Sequence, residues 1–423
     1  MIDLKHFREK PELYRKACKD KRIKFDVDNF LSLDSKYREI KVVTEKIRSE
    51  QNELSRQVPL LKGEEQKVVR DKLKDLSIAV KEKNTELAAL EVEWQRLQLL
   101  IPSVPLSQVP VGKDDSENVE VKKWGEPFKP KFKLKDHVEL GAALELFDLE
   151  RGAKVAGARN YFLIGDGAKL HHAVMNLALD LISSRGYKIM DTPHIVNYEA
   201  MTGTGYFPGG EDMAFHLDAR DDRSYLIGTS EVALVSFHQG ESFKDEDLPK
   251  KYAGYSPCYR REAGSYGKDT QGLYRVHQFF KVEQVVICRP DANLSAELHK
   301  ELLGNAETLL QMLELPYRVV EVCTGDMGQG QVFKHDIETW MPSRSGYGET
   351  HSCSTLYDFQ ARRSEIRYKG DLAEGRFCHT LNNTLVASPR VLIPLIENHQ
   401  QEDGSIKIPK ALVPYFGGRE FIR

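Results

Sequence analysis

No stretch of this chain approaches the ~18 consecutive apolar residues of a membrane-crossing helix. The opening stretch, MIDLKHFREKPELYRKA, carries acidic residues and no apolar core, so it does not read as a secretory signal. There are six cysteines, far apart and with no C-x-x-C, which argues against a disulfide framework and a zinc ribbon and favours a reducing compartment. No G-x-x-x-x-G-K-[ST] loop is present, and GTGYFPGG has Pro208 where G-x-G-x-x-G requires its last glycine. A nucleotide would therefore have to be held without a glycine loop. Net charge is also nearly absent, at −3, so any contact with a polyanion must come from local patches. One such patch is residues 1–25, where nine Lys/Arg face four Asp/Glu.

Glycine and proline are scarce where helices would need them to be. Val27 to Leu100 contains one of each, Pro59 and Gly63, close together. Before that break, Phe30, Leu33, Tyr37, Ile40, Ile47, Leu54 and Val58 recur at spacings built from threes and fours. After it come Val69, Leu73, Leu76, Val80, Leu87, Leu90, Trp94, Leu97 and Ile101. Two helices of about 45 Å each, joined by a short turn, must run antiparallel. Such a hairpin has no core beyond its seam and is expected to project as an arm.

The stretch Ile101–Asn118 holds three prolines and a polar run, and reads as a linker. From about Val119 to Arg423 helical and strand-like runs alternate, which predicts an α+β domain. Within it, GLYRVHQFFKVEQVV (Gly272–Val286) reads as a strand with two unlike faces. Val276, Gln278, Phe280, Val282 and Gln284 form one face. Arg275, His277, Phe279, Lys281 and Glu283 form the other. Upstream, Cys258, Arg260 and Glu262 alternate in the same way. Pairing the two runs predicts a surface carrying Arg260, Arg275, Phe279, Glu262 and Glu283. Arginines suit phosphate oxygens, a ring between them can stack on a base, and carboxylates can hold an ammonium. ATP with an amino acid would satisfy all three.

These residues lie in motifs that resemble those of the seryl-tRNA synthetases, within class II of the aminoacyl-tRNA synthetases. AKLHHAVMNLALDLISSRGYKIMDTP, ending at Pro193, resembles motif 1, the dimer-forming element. CYRREAGSYGKDTQGLYRVHQFFKVE is similar to motif 2, and TLNNTLVASPRVLIPLIENHQ to motif 3. TSE (Thr229–Glu231), ETHSCSTLYDFQARR (Glu349–Arg363) and the antiparallel helical arm resemble stretches particular to the seryl enzymes. The resemblance implies an α+β fold: an antiparallel class II sheet flanked by helices, with an N-terminal two-helix coiled-coil arm. It implies a tRNA-binding domain over 1–100, a linker over 101–118 and a catalytic domain over 119–423.

It also implies roles. Arg260 would bridge the ATP α-phosphate and the serine carboxylate, and Arg275 and Arg390 would hold the γ-phosphate end. Phe279 would stack on adenine beside Glu262. Glu349 and Ser352 would ligate Mg²⁺. Thr229, Glu231, Glu283, Asn382 and Thr384 would surround serine, with Glu283 near its ammonium. The implied partners are ATP, L-serine and tRNA(Ser), with tRNA(Sec) left open, in a homodimeric cytoplasmic enzyme. This chain departs from the family at His351, Thr355, Asn383 and Ser388–Pro389, and at Lys268 and Gln271 of the motif 2 loop. None removes a group assigned above. Two other readings are a paralogue that loads a carrier protein and an inactive binding paralogue. The intact arm argues against the first, and retention of Arg260, Arg275, Glu349 and Arg390 against the second.

Overall fold

The structure, a computed structural model, describes residues 1–217, 220, 223–263, 272–370 and 376–423. Two compact units emerge: residues 2–19 with 23–102, and residues 1, 20–22 and 103–423. Among the described residues no helix is long and apolar enough to cross a membrane. Lys268 and Gln271 lie outside the described residues.

The first unit contains helices α1 (Leu4–Glu9), α2 (Pro11–Asp20), α3 (Val27–Gln57) and α4 (Gly63–Gln98). Pro59 sits in a 3₁₀ turn, Val58–Leu60, and Gly63 opens α4 at φ +62°, a conformation that favours glycine. The two long helices run antiparallel, because partners on α4 fall in number as those on α3 rise. Trp94 Nε1 donates to Asp34 Oδ1 at 3.0 Å, Arg48 Nη2 to Asn84 Oδ1 at 2.8 Å, and Lys72 pairs with Glu50 at 2.7 Å. At the base, Phe7, Phe30, Tyr37 and Trp94 build an aromatic core, with Tyr37 stacked on Trp94 at 4.8 Å. From residue 45 to 96 no residue of the hairpin is buried. Its stability there rests on the seam and its ion pairs alone, as heptad spacing without a third helix requires.

The second unit is built on one eight-stranded sheet. Its strands in chain order are β1 (Val119–Trp124), β2 (Lys188–Asp191), β3 (Lys250–Tyr259), β4 (Gln278–Cys288), β5 (Tyr317–Glu321), β6 (Phe333–Met341), β7 (Gly346–Tyr357) and β8 (His379–Ser388). Their order in space is β1-β5-β6-β7-β8-β4-β3-β2. All neighbours are antiparallel except β2 and β3. Helices α5 (Gly165–Ser184) and α6 (Ala292–Met312) cover one face. There Leu170, Val174 and Leu177 of α5 and Leu298, Leu302 and Leu309 of α6 join Val282 and Val286 of the sheet in one core.

The strand read as Gly272–Val286 begins only at Gln278, and its partner ends at Tyr259. Arg260, Glu262, Arg275 and His277 therefore lie beyond the regular ladder. The pairing is still continued once, where Arg260 N donates to His277 O at 2.9 Å. Glu262 has φ +51°, so the chain turns away from the strand direction there.

The proline-rich stretch contains no α-helix but is not free of the second unit. Ser103 N donates to Gln329 O and Leu106 N to Val332 O, at 3.0 and 2.9 Å.

Candidate active site

On β4 the even-numbered residues face the helices. Gln284 Nε2 donates to Leu302 O and its Oε1 accepts from Asn305 Nδ2, while Phe280 meets the His171 ring at 5.1 Å. The odd-numbered residues Phe279, Lys281 and Glu283 line cavities on the opposite face. Farther along, odd-numbered Val285 and Ile287 pack with Leu234, Phe243 and Ile366. One strand thus supplies the core on one face and, on the other, first a cavity floor and then a second apolar cluster.

Two cavities of about 280 and 350 Å³ adjoin, sharing Arg260, Lys281, Gln331, Ser352 and Thr384 in their walls. The first gathers Arg260, Arg275, Arg390, Glu262, Phe279 and Glu349. Arg275 Nη1 donates to Glu262 Oε2 at 2.7 Å. The Arg260 guanidinium lies 5.2 Å from the Phe279 ring centroid, a cation–π distance. Arg390 is aimed by backbone carbonyls, with Nε on Tyr274 O and Nη1 on Glu349 O, both at 3.1 Å. Its guanidinium and that of Arg344 both stack on Tyr274, at 4.4 and 3.9 Å.

Glu349 and Ser352 are three apart on β7, so a regular strand would put them on opposite faces. The register corrects this. Ser352 opposes Asp336, His351 opposes Ile337, and Glu349 opposes Glu338, leaving Thr350 as an extra residue. That bulge reverses the alternation and brings Glu349 round to the side of Ser352. The Glu349 side chain is 49% accessible and opens into the first cavity. Burial among protein atoms opposes its charge, but Arg390, Lys334, Arg260 and Arg275 outweigh this and hold its carboxyl below the usual range. Behind it, Lys334 pairs with Asp336 at 2.8 Å, and burial pushes the Asp336 carboxyl up to about 7 against that pull.

The second cavity contains Thr229, Glu231, Glu283, Asn382 and Thr384. A second bulge, at Leu385 on β8, sets Thr384 opposite Glu283, and Thr384 Oγ1 donates to Glu283 Oε2 at 3.3 Å. Asn382 Nδ2 and Gln360 Nε2 both donate to Glu231 Oε1, at 2.7 and 2.6 Å. Lys281 pairs with Glu283, and both are nearly inaccessible to solvent. Burial, and then the Glu283 charge, push the Glu231 carboxyl up to about 7.

Every residue given a role from the sequence falls in one of these two cavities. Lys281, Lys334 and Gln360 do so as well, and were given no role. Lys281 was legible as a member of the charged face. Gln360 lies within a quoted motif, but only folding shows that it braces Glu231. The departures at Thr355 and Asn383 belong to the other side of the sheet. Thr355 Oγ1 meets His299 Nδ1, and Asn383 Nδ2 donates to Leu302 O of α6. His351 does line the first cavity; it is buried, its Nδ1 meets Thr350 Oγ1 at 2.8 Å, and burial lowers its pKa to about 4, leaving it neutral. Ser388 and Pro389 line the first cavity too, and Ser388 Oγ meets His171 Nδ1 at 2.8 Å.

A raised carboxyl pKa carries a pH signature. Folding favours the protonated Glu231, so this contribution is complete below the ordinary carboxyl value and is lost as pH rises toward about 7. Glu231→Gln keeps an oxygen for Asn382 and Gln360 and cannot ionise. Denaturant unfolding of the wild type should lose on the order of 2–3 kcal/mol across pH 4.5–7 from this group, and the variant should not.

Comparison with known proteins agrees with this geometry. Residues 1–105 match the model of the seryl-tRNA synthetase N-terminal domain, and residues 215–399 match that of the class II tRNA synthetase core domain (G, H, P, S and T). The serine–tRNA ligase of Deinococcus radiodurans is 45% identical over 422 residues, covering 100% of this chain and 99% of its own. The crystal structure of seryl-tRNA synthetase from Pyrococcus horikoshii complexed with ATP superposes with a TM-score of 0.92 at 35% identity, covering 100% of this chain and 99% of that one. The cytoplasmic serine–tRNA ligase from Naegleria fowleri in complex with AMP gives 0.88 at 32%, with the same coverage. With its two-domain order, its sheet and its paired cavities, the chain belongs to the seryl-tRNA synthetase family.

Proposed function

We propose that this chain joins L-serine to ATP as seryl-adenylate and passes the seryl group to the 3′-terminal adenosine of tRNA(Ser). The observation that carries this reading is the pair of adjoining cavities. One is rich in arginine around an aromatic ring, the other holds two carboxylates, and Arg260 stands in the wall between them.

In the first step a serine carboxylate oxygen attacks the α-phosphorus, the α–β P–O bond breaks, and pyrophosphate leaves. Both reactants are anionic, so the site must place positive charge where more negative charge develops. Arg260 faces both cavities and would hold the carboxylate against the α-phosphate. Arg275 and Arg390 would take the γ-phosphate end, with Phe279 against adenine and Glu262 beside it. Glu283 would receive the serine ammonium, whose charge displaces that of Lys281. Glu231, Asn382, Thr384 and Thr229 would define the room for the hydroxymethyl group. A pocket that hydrogen-bonds a hydroxyl rejects alanine by about 10⁴ or more, because its polar atoms would be left unpaired. In the second step the ribose hydroxyl attacks the carbonyl carbon and AMP leaves.

Glu349 and Ser352 suit Mg²⁺, a hard cation bound by oxygen and completed by phosphate oxygens and water. The carboxylate is held ionised, and both side chains stand on one face through the Thr350 bulge. Bound there with ATP, the ion would neutralise phosphate charge.

A homodimer and a cytoplasmic setting complete the proposal. Near the motif 1 segment, Phe162, Ile164, Ile189 and Ile195 are exposed, and a second copy would cover them. All six cysteines are free and buried, in keeping with a reducing compartment.

Amino-acid-dependent ATP–pyrophosphate exchange tests the central reading. Serine alone among serine, threonine, alanine, cysteine and glycine should support it; exchange with another amino acid, or with none, would refute the assignment. Arg275→Ala should lower the exchange rate by about 10²–10³-fold with the circular dichroism spectrum unchanged. Replacing 49–83 with a short Gly-Ser turn joins the neighbours Arg48 and Asn84. Exchange should then persist while most tRNA charging is lost, and equal loss of both would contradict the tRNA-binding role of the arm. Light scattering should give a molar mass of two chains.

A further inference from the structure

Lys21 follows the last turn of α2. Arg22 takes the left-handed conformation at φ +57°, and Ile23 N closes back onto Cys18 O at 2.9 Å, which ends the helix and aims Lys21. Lys21 is 3% exposed. Its ammonium donates to three backbone carbonyls: Gly328 at 3.1 Å, Gln329 at 3.0 Å and Gln331 at 2.6 Å. A lysine has three donors, and this loop supplies an acceptor for each.

The loop is Gly328–Gln331, and all four residues line the second cavity; Gln331 also lines the first. It has no regular secondary structure of its own, so its shape depends on what its backbone bonds to. Gly330 is pressed against Phe359, where an added Cβ would come within 2.4 Å of the ring. Gln331 is tied at both ends of its amide: Oε1 accepts from Gly328 N at 2.7 Å and Nε2 donates to Ser354 Oγ at 2.8 Å. Lys21 gathers the carbonyls from outside while these contacts fix the side toward the cavity.

We propose that Lys21 is a positioning residue for the amino-acid substrate. Its ammonium fixes the backbone of Gly328–Gln331, and with it one wall of the serine cavity, from a place more than 300 residues earlier in the chain. This rests on the reading of the second cavity as the serine site. Lys21 does not touch the reacting atoms, so its effect falls on substrate affinity and not on the chemical step.

The test is ATP–pyrophosphate exchange by full-length Lys21→Met, Lys21→Gln and Lys21→Arg, varying serine at saturating ATP and then the reverse. Lys21→Met should raise the serine KM about tenfold or more, with the ATP KM and kcat within about twofold of wild type. Lys21→Gln, which keeps two donors without the charge, should move the serine KM the same way by less. Lys21→Arg should restore it most nearly. A folded Met or Gln variant with unchanged serine KM overturns the proposal. So does an equal rise in the KM of serine and ATP, which would mark general loosening. Should the Met variant not fold, the Gln variant decides. Wild-type chain that shows no serine-dependent exchange would instead overturn the assignment of the cavity.

Discussion

Strand β4 holds Phe280, Val282 and Gln284 against the helices, while Phe279, Lys281 and Glu283 on the other side line the two cavities. The two sets alternate residue by residue, so neither can move without the other. Apolar burial on one face fixes the register, because a slip of one residue would bury Lys281 and Glu283 among leucines. The positions of charge in the site are thus enforced by the hydrophobic core beneath it.

Alternation alone would not assemble the site, and two of the sheet's bulges supply what it lacks. The extra residue Thr350 turns Glu349 onto the side of Ser352, and the extra residue Leu385 sets Thr384 beside Glu283. A bulge costs ladder regularity and gains an aimed side chain. Asn382 and Thr384 then point into the second cavity while Asn383 between them bonds the Leu302 carbonyl of α6.

Charge in the two cavities is arranged by sign. The first concentrates arginines, which keep Glu349 ionised against the penalty of burial. The second sets Glu231 and Glu283 close enough that one raises the other, with Lys281 as their nearby cation. An anionic triphosphate and a zwitterionic amino acid match that division, with the amino acid's own carboxylate toward the arginines. Arg260 lines both cavities, which is where the proposed bond between amino acid and α-phosphate would form.

The sequence by itself determined whatever depends on short periods. Seam residues from Phe30 to Ile101 declared the helical hairpin, the lone Pro59 and Gly63 declared its turn, and parity from Gln278 to Gln284 separated cavity face from core face. Those patterns are local, and side-chain direction along one helix or strand follows from its period. Parity failed where the backbone leaves the period, so the joint placement of Glu349 and Ser352 came from family resemblance and not from their spacing. Tertiary structure alone decided which distant groups meet: Gln360 with Glu231, Lys334 behind Glu349, Lys21 with the carbonyls of Gly328–Gln331. Such pairs have no period to read, because they are set by how packed elements bring remote backbone and buried polar groups to one another for satisfaction.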